Sequence, residues 1–423
     1  MNMIIEPIKK CRICGSTNLV SIISLNEQYI ATFTPKHDES VPIDGKFPLE
    51  LIRCDSSKNS NNCGLVQLKH SIPTDYLYKR YFYRSGINTT MKKNLCEIVT
   101  HAISNTKLND SDIVLDIGCN DGTLLKNYQN KNVKVFGFDP AENMFEFSKT
   151  SGAKIIIDFF NYNSYQKNVG NFKAKIITSI AMFYDLEDPK KFVSDISKVL
   201  HENGVWIIEL SYLPSMLNQN AFDTIVHEHL EYYHLSVLQK LFKIYDLKVV
   251  DAYLNDVNGG SIRLFVKHSK NNIDKNSKKR IEDIEKIERD MKLDTEIPYQ
   301  KFLDRCMELK QKTIDFIRKE KQGGKKIFGY GASTKGNTLL QFYGITNSDL
   351  EKVADRNPDK WGRETIGTKI KIVSEEESRN ENPDYFLILP WHFLDEFIQR
   401  EKDFLINGGK FIVPLPEFKI ISN

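Results

Sequence analysis

Residues 221–235, AFDTIVHEHLEYYHL, gather more acid–base groups than any other part of the chain: His227, Glu228, His229, Glu231, Tyr232, Tyr233 and His234. Such a run can hold a metal, move protons, or solvate the start of the helix expected over LSVLQKLFKIY (235–245). A zinc-hydrolase pattern needs histidines at i and i+4, so that both imidazoles face one ion. Here Glu231 follows His227 at that interval and Tyr233 follows His229. The spacing rules against a zincin and leaves an acid–base segment or a polar loop.

The metal signal lies elsewhere. Cys11-x2-Cys14 and Cys54-x8-Cys63 offer four thiolates, the usual ligand set of a closed, structural zinc site with no open position for a substrate. The second pair is the looser one, because DSSKNSNN must loop out between its ligands; four free thiols are the alternative. Cys96, Cys119 and Cys306 have no partner spacing and read as core or loop residues. Seven cysteines spread unevenly over a long chain argue for reduced thiols rather than a disulfide framework.

Two glycine loops follow. SDIVLDIGCNDGTLL puts Asp116 and Gly118 at the end of an apolar strand and Gly122 at the start of the next helix, a DxGxxxG spacing unlike the dinucleotide fingerprint. Glycine there lets backbone approach a ligand at the carboxyl edge of the sheet. The next strand, VKVFGFDP, ends in Asp139, whose carboxylate can accept both hydroxyls of a ribose. An adenosine ligand without a pyrophosphate fits, and a generic strand-to-helix turn is the alternative. Further on, GYGASTKGNTLL comes close to a P-loop, but Asn337 stands where the phosphate-binding lysine must be, which disfavours ATP hydrolysis. A glycine turn feeding a helix start still presents amides to a nucleoside diphosphate through Gly331, Ala332, Ser333, Thr334 and Lys335, with Asn337 grouped among the same substrate contacts; a ligand-free turn is again the alternative. In NGGSIR, Asn258 and two glycines permit close approach and Arg263 can pair with a phosphate, although a β-bulge with a surface arginine serves equally well.

The elements that must position these residues follow from periodicity. Residues 1–75 form a small module with strands at LVSIISL and GLVQLKH around a polar middle; residues 76–268 alternate helices (MKKNLCEIVTHAI, DGTLLKNYQ, AENMFEFSKTSG, PKKFVSDISKVL) with strands (SDIVLDIG, VKVFGFD, AKIIID, AKIITSI, GVWIIEL). That alternation predicts a doubly wound parallel sheet. Residues 269–300 read as a charged, exposed helical connector, and 301–423 as a second open α/β sheet. The fold class is therefore α/β with a small zinc-binding module in front. A balance of 59 basic against 56 acidic residues predicts no nucleic-acid surface, and the absence of an 18-residue apolar run or a leader pattern predicts a cytoplasmic protein without membrane spans. Nothing in the sequence requires more than a monomer.

The first loop with its following acidic residue resembles class I S-adenosylmethionine-dependent methyltransferases. That resemblance implies that Asp116, Gly118, Asn120 and Gly122 line the methionine part of the donor, Asp139 the ribose, and Asp158 and Phe159 the adenine. Taken together, the CxxCG module, the methyltransferase sheet, the HEH cluster with NGGSIR and the GYGASTKGN domain resemble the NDP-sugar C-methyltransferase family over essentially the whole chain. The family resemblance implies a structural zinc, S-adenosylmethionine in the middle domain, and a nucleotide-linked 4-keto-hexose between the middle and C-terminal domains, methylated on carbon next to its ketone for a deoxysugar or surface polysaccharide. Such chemistry needs a base and a donor to the enolate oxygen. His229 is the expected base or enolate-stabilising group, with Glu228 orienting it and His227 alongside; Tyr81 and Tyr83 in YFYRSG are expected to bind or protonate the sugar, or to be ordinary aromatics. Two positions depart from the family pattern: Val226 where a tyrosine usually precedes HEH, and Tyr184, here grouped with the substrate contacts, where some members have histidine. Methylation of oxygen or nitrogen, or a non-catalytic zinc and nucleotide module, are the competing readings.

Overall fold

The computed structural model describes residues 5–35, 45–57, 59, 61–78, 81–129 and 131–422; the polar middle at 36–44, and Lys58 and Ser60 of the DSSKNSNN loop, lie outside them. In chain order the strands are β1 (Leu19–Tyr29), β2 (Lys46–Cys54), β3 (Val66–Leu68), β4 (Ile113–Ile117), β5 (Lys134–Phe138), β6 (Lys154–Ile156), β7 (Ala174–Ile180), β8 (Leu200–Ser211), β9 (Glu231–Tyr232), β10 (Leu247–Asn255) and β11 (Ser261–His268). β12 (Ile327–Tyr330), β13 (Lys352–Asp355), β14 (Lys371–Ser374), β15 (Tyr385–Ile388), β16 (Lys410–Val413) and β17 (Lys419–Ile421) complete the set.

They form three sheets, ordered β1-β2-β3-β9, β10-β11-β8-β7-β4-β5-β6 and β14-β13-β12-β15-β16-β17. In the middle sheet β4 through β8 run parallel, with β11 and β10 antiparallel beyond β8, so the expected parallel sheet gains two edge strands of mixed direction. The strand order reverses between β4 and β7, and in the last sheet between β12 and β15. Open sheets bind ligands outside the carboxyl ends of their strands at such reversals. The first sheet reaches across the chain: β3 pairs with β9, which belongs to the HEH segment, and the Leu68 amide donates to the Leu230 carbonyl at 2.8 Å.

Several elements differ from the periodicity. β2 was hidden in the polar middle, yet its Phe47, Leu49 and Leu51 alternate inward as a half-buried strand should. The expected helix DGTLLKNYQ is reduced to a 3-10 turn over Leu125–Tyr128, because the Asn127 side chain donates to the Thr123 and Leu124 carbonyls and competes with the helical ladder. AENMFEFSKTSG has an α-turn only over Phe145–Ser148. The connector is a helix Lys275–Met291 capped by Asp274, followed by a 26-residue helix Ile297–Gln322. It is not simply exposed: Ile281, Ile284 and Glu288 are buried. Glu288 accepts from the Leu235 and Ser236 amides, capping the helix Leu235–Lys243, and also from Tyr212 Oη at 2.8 Å and His234 Nδ1 at 3.1 Å. Burial alone would raise its pKa, but His234 and Ser236 outweigh this and hold it at about 2.

Two residues expected at a phosphate are structural. Arg263 sits within the middle sheet, 5% exposed, with Nε 2.7 Å from Glu209 across the strand pair and Nη2 2.7 Å from Asn94. A guanidinium spent this way has no reach to a ligand, and Glu209 without it would be a buried, unpaired charge. Asn337 is 1% exposed, its amide donating to the Thr32 carbonyl at 2.6 Å, which fastens the last sheet's first helix to the N-terminal module. Arg263→Ala is expected to lower the unfolding free energy in urea by about 3–5 kcal/mol; a loss under about 1 kcal/mol would refute the structural role.

Candidate active site

One cavity of about 390 Å³ opens where the middle sheet's strand reversal faces the HEH segment and the last sheet. Its first wall is the loop after β4. Gly118 has φ +73, and a Cβ there would stand 3.1 Å from Met182, so the turn needs glycine. Asp139, at the end of β5, takes the Asn120 amide at 2.8 Å on one carboxylate oxygen and the Ala141 amide at 2.9 Å on the other. That fixes the carboxylate with lone pairs directed into the cavity, as a ribose diol requires. Burial raises its pKa and the two amides oppose the rise. Asp116 is buried, bonded to Thr178 at 2.6 Å, and raised to about 7 chiefly by burial. Asp158 and the half-exposed Phe159 line the far end. Gly122 does not reach the cavity; it packs against Ser148, where a Cβ would come within 3.0 Å of backbone.

The YFYRSG segment is laced to this loop. Asn143 holds the Tyr81 backbone by an amide at 3.1 Å and a carbonyl at 2.8 Å, and Asn120 holds the Tyr83 carbonyl and the Ser85 amide at 3.0 Å each. Tyr81 and Tyr83 thereby line the cavity, and desolvation raises both phenols, keeping them neutral donors.

The opposite wall is the HEH segment. His229 Nδ1 donates to the Thr224 carbonyl at 2.8 Å; the neutral ring then carries its lone pair on Nε2. The orienting group is therefore Thr224, where Glu228 was expected. Burial, then the charge of Lys335, push the His229 pKa down to about 3, so the imidazole stays in the base form. Tyr184 packs its ring 4.3 Å from the His229 ring, and its carbonyl accepts the Leu230 amide at 2.7 Å. Glu228 lines the cavity with its carboxyl raised to about 7 by burial. His227 points away: Nε2 donates to the Phe47 carbonyl at 3.2 Å. Val226 is buried in the wall with no polar group to offer.

The third wall comes from the last sheet. Ser333 caps the helix Thr334–Tyr343 by accepting the Gly336 amide at 2.9 Å, and Ser333, Thr334, Lys335 and Asn258 line the cavity. Gly331 and Ala332 do not line it: the Gly331 amide is spent on the Ala354 carbonyl, and Ala332 is buried with its carbonyl on Lys360. The sequence reading missed Tyr78, Asp185 and His392. Tyr78 Oη donates to the Glu228 carbonyl at 3.0 Å; Asp185 is raised well above the carboxylate range by burial and by Glu228; His392 follows β15. Asp185 and His392 each follow the strand that flanks a sheet's reversal, a positional signal available from the strand order.

The four cysteines Cys11, Cys14, Cys54 and Cys63 bring their sulfurs within 4.8 Å of one another, with 3.4 Å between Cys11 and Cys63 and between Cys14 and Cys54. Tetrahedral zinc–thiolate bonds of about 2.3 Å put sulfurs roughly 3.8 Å apart, so the cluster fits the ion. Arg12, inside the first knuckle, faces buried Glu231 at 3.6 Å, and Lys240 donates to the Cys63 carbonyl at 3.2 Å, so the cysteine cluster braces the HEH segment at Glu231 and the helix that follows it.

Sheet order, a glycine loop after β4 and a buried neutral imidazole across one cavity are the frame of a methyltransferase that uses S-adenosylmethionine, and related proteins agree. Three family models match the chain: a zinc binding domain over residues 11–78, a methyltransferase domain over 87–252 and a C-methyltransferase C-terminal domain over 256–416. C-methyltransferase NovU of Streptomyces niveus is 30% identical over 423 residues, 100% of this chain and 99% of that protein. Among solved structures, an S-adenosylmethionine-dependent methyltransferase from Clostridium acetobutylicum is 18% identical with a TM-score of 0.34, over 42% of this chain and 92% of its own. Magnesium protoporphyrin IX methyltransferase from Synechocystis is 13% identical with a TM-score of 0.32, over 42% and 79%. The chain belongs to the C-methyltransferase family.

Asp139→Ala is expected to weaken S-adenosylmethionine binding about 10–100-fold by calorimetry, the worth of charge-assisted hydrogen bonds to a diol; unchanged affinity would remove Asp139 from the site. Stripping zinc with a chelator is expected to lower the thermal midpoint by about 10 °C or more and to abolish methyl transfer with it; a metal-free enzyme of full stability and activity would contradict the bracing role.

Proposed function

We propose that this enzyme methylates carbon next to the ketone of a nucleotide-linked keto-sugar. The observation that carries the reading is His229: a neutral imidazole, its Nδ1 spent on Thr224 and its Nε2 lone pair left for the cavity that also holds the donor loop. Attack by a sugar hydroxyl or amine can draw on a weaker base, whereas a carbon acid demands both a positioned base and stabilisation of the oxygen that becomes negative.

In this reading S-adenosylmethionine supplies an electrophilic methyl group on its sulfonium. His229 Nε2 takes the proton from the ring carbon. Glu228, neutral below about pH 7, gives a hydrogen bond to a sugar oxygen. Tyr81, Tyr83 and Tyr184 exclude water and fix the ring. The N-terminal amides of the helix Thr334–Tyr343, with Ser333 and Thr334, take the diphosphate. Labour divides along the chain: zinc in residues 1–75, the donor in 76–268, a connector in 269–300 and the nucleotide in 301–423. The product would enter deoxysugar or surface-polysaccharide synthesis.

Incubation with methyl-labelled S-adenosylmethionine and a panel of nucleotide-linked 4-keto sugars should give label in the sugar, and His229→Asn should reduce kcat by about 100-fold or more; wild-type activity in that variant would remove His229 from the chemistry. Because burial raises the Glu228 carboxyl, it is neutral below about pH 7 and charged above. kcat/KM should therefore fall as pH rises through about 7, and Glu228→Gln, which stays neutral, should lose that alkaline limb; an identical limb in the variant would contradict the donor role.

A further inference from the structure

Lys335 does not lie where a phosphate ligand would. From the first turn of the helix Thr334–Tyr343 its side chain crosses to the middle sheet's NGG turn, where Nζ donates to the Asn258 carbonyl at 2.8 Å. The groups around its ammonium are Asp223, His229 and His392. Asp223 is fully buried; one carboxylate oxygen accepts Trp391 Nε1 at 3.0 Å, and the other has no partner among the described residues. Trp391 in turn packs so closely on Gly259 that a Cβ there would come within 3.1 Å of its ring. The ammonium is thus held at the seam between two sheets, with a buried carboxylate among its charged neighbours, in the cavity that His229 and His392 also line. A buried His392 Nδ1 without a partner faces the same seam.

We propose that Lys335 is a catalytic residue of this enzyme: its ammonium meets the negative charge that forms on the ketone oxygen when the adjacent carbon is deprotonated. The inference rests on the C-methylation reading and gives the last sheet a part in the chemistry beyond nucleotide binding. In the step, the carbon–hydrogen bond breaks and its proton goes to His229 Nε2. The electron pair becomes the carbon–carbon double bond, and the carbonyl π pair moves onto oxygen. In the free enzyme Lys335 opposes protonation of His229 and lowers its basicity. Once the oxygen is negative, that same charge lies next to an opposite one, so the ammonium favours the transition state over the ground state.

Three measurements on Lys335→Met, with Lys335→Arg as the charge-retaining control, test this. In heavy water and without methyl donor, wild-type enzyme should exchange the ring proton of a UDP- or dTDP-linked 4-keto-6-deoxyhexose. Lys335→Met should slow exchange and kcat about 100–1000-fold while the Kd for UDP and dTDP stays within about threefold. Lys335→Arg should retain most of the exchange, and in Lys335→Met labelled with carbon-13 histidine the His229 titration should move to higher pH. Exchange and kcat preserved in Lys335→Met would overturn the assignment, as would a tenfold loss of nucleoside diphosphate affinity with kcat retained, which would make Lys335 a phosphate ligand. Wild-type enzyme that exchanges no ring proton with any keto-sugar would overturn the C-methylation reading itself, a failure separable from the others because it appears before any substitution.

Discussion

Residues 221–235 are ionisable groups taken out of water, and the rest of the molecule is arranged to satisfy them. A buried carboxyl or imidazole without a partner costs several kcal/mol. His227 is met by the Phe47 carbonyl of the zinc module, His234 by Glu288 of the connector, Glu231 by Arg12 of the first knuckle, Asp223 by Trp391 of the last sheet, and His229 Nδ1 by Thr224 within the segment itself. The segment's groups without a hydrogen-bond partner among the described residues include His229 Nε2 and the Glu228 carboxyl, and both residues line the cavity. The partners come from the cysteine module, the connector and the C-terminal domain, so the segment's conformation depends on parts of the chain far from it in sequence.

The same burial sets the protonation states. Desolvation pushes histidines down and carboxyls up, so His229 is held neutral while Glu228 and Asp185 are shifted toward their neutral forms. A solvated version of this segment would carry fully ionised carboxylates at neutral pH, which cannot donate. The donor side follows a different rule. Asp139 is held by two backbone amides that oppose the effect of burial and favour its ionised, accepting form.

Local signals in the sequence identified what depends on local spacing. The four cysteines, the glycine turn after β4, Asp139 at the end of β5 and the HEH run are all legible because a few neighbouring residues define each one. Arg263 and Asn337 misled because their chemical types suit phosphate, while their real partners, Glu209, Asn94 and Thr32, are distant in sequence. The charged connector looked exposed because Glu288 reads as one more surface acid until the helix Leu235–Lys243 is seen to start on it. Asp185 and His392 carry no motif; only the strand order, which brings the ends of β7 and β15 to one cavity, marks them.

The central claim is that a new carbon–carbon bond forms. The most direct test is carbon-13 NMR of the product made from S-adenosylmethionine labelled at its methyl group and a nucleotide-linked 4-keto sugar uniformly labelled in its ring. The account predicts that the transferred methyl carbon shows a one-bond coupling to a ring carbon adjacent to the former ketone. A methyl resonance without that coupling, at the shift of a carbon bound to oxygen or nitrogen, would contradict it.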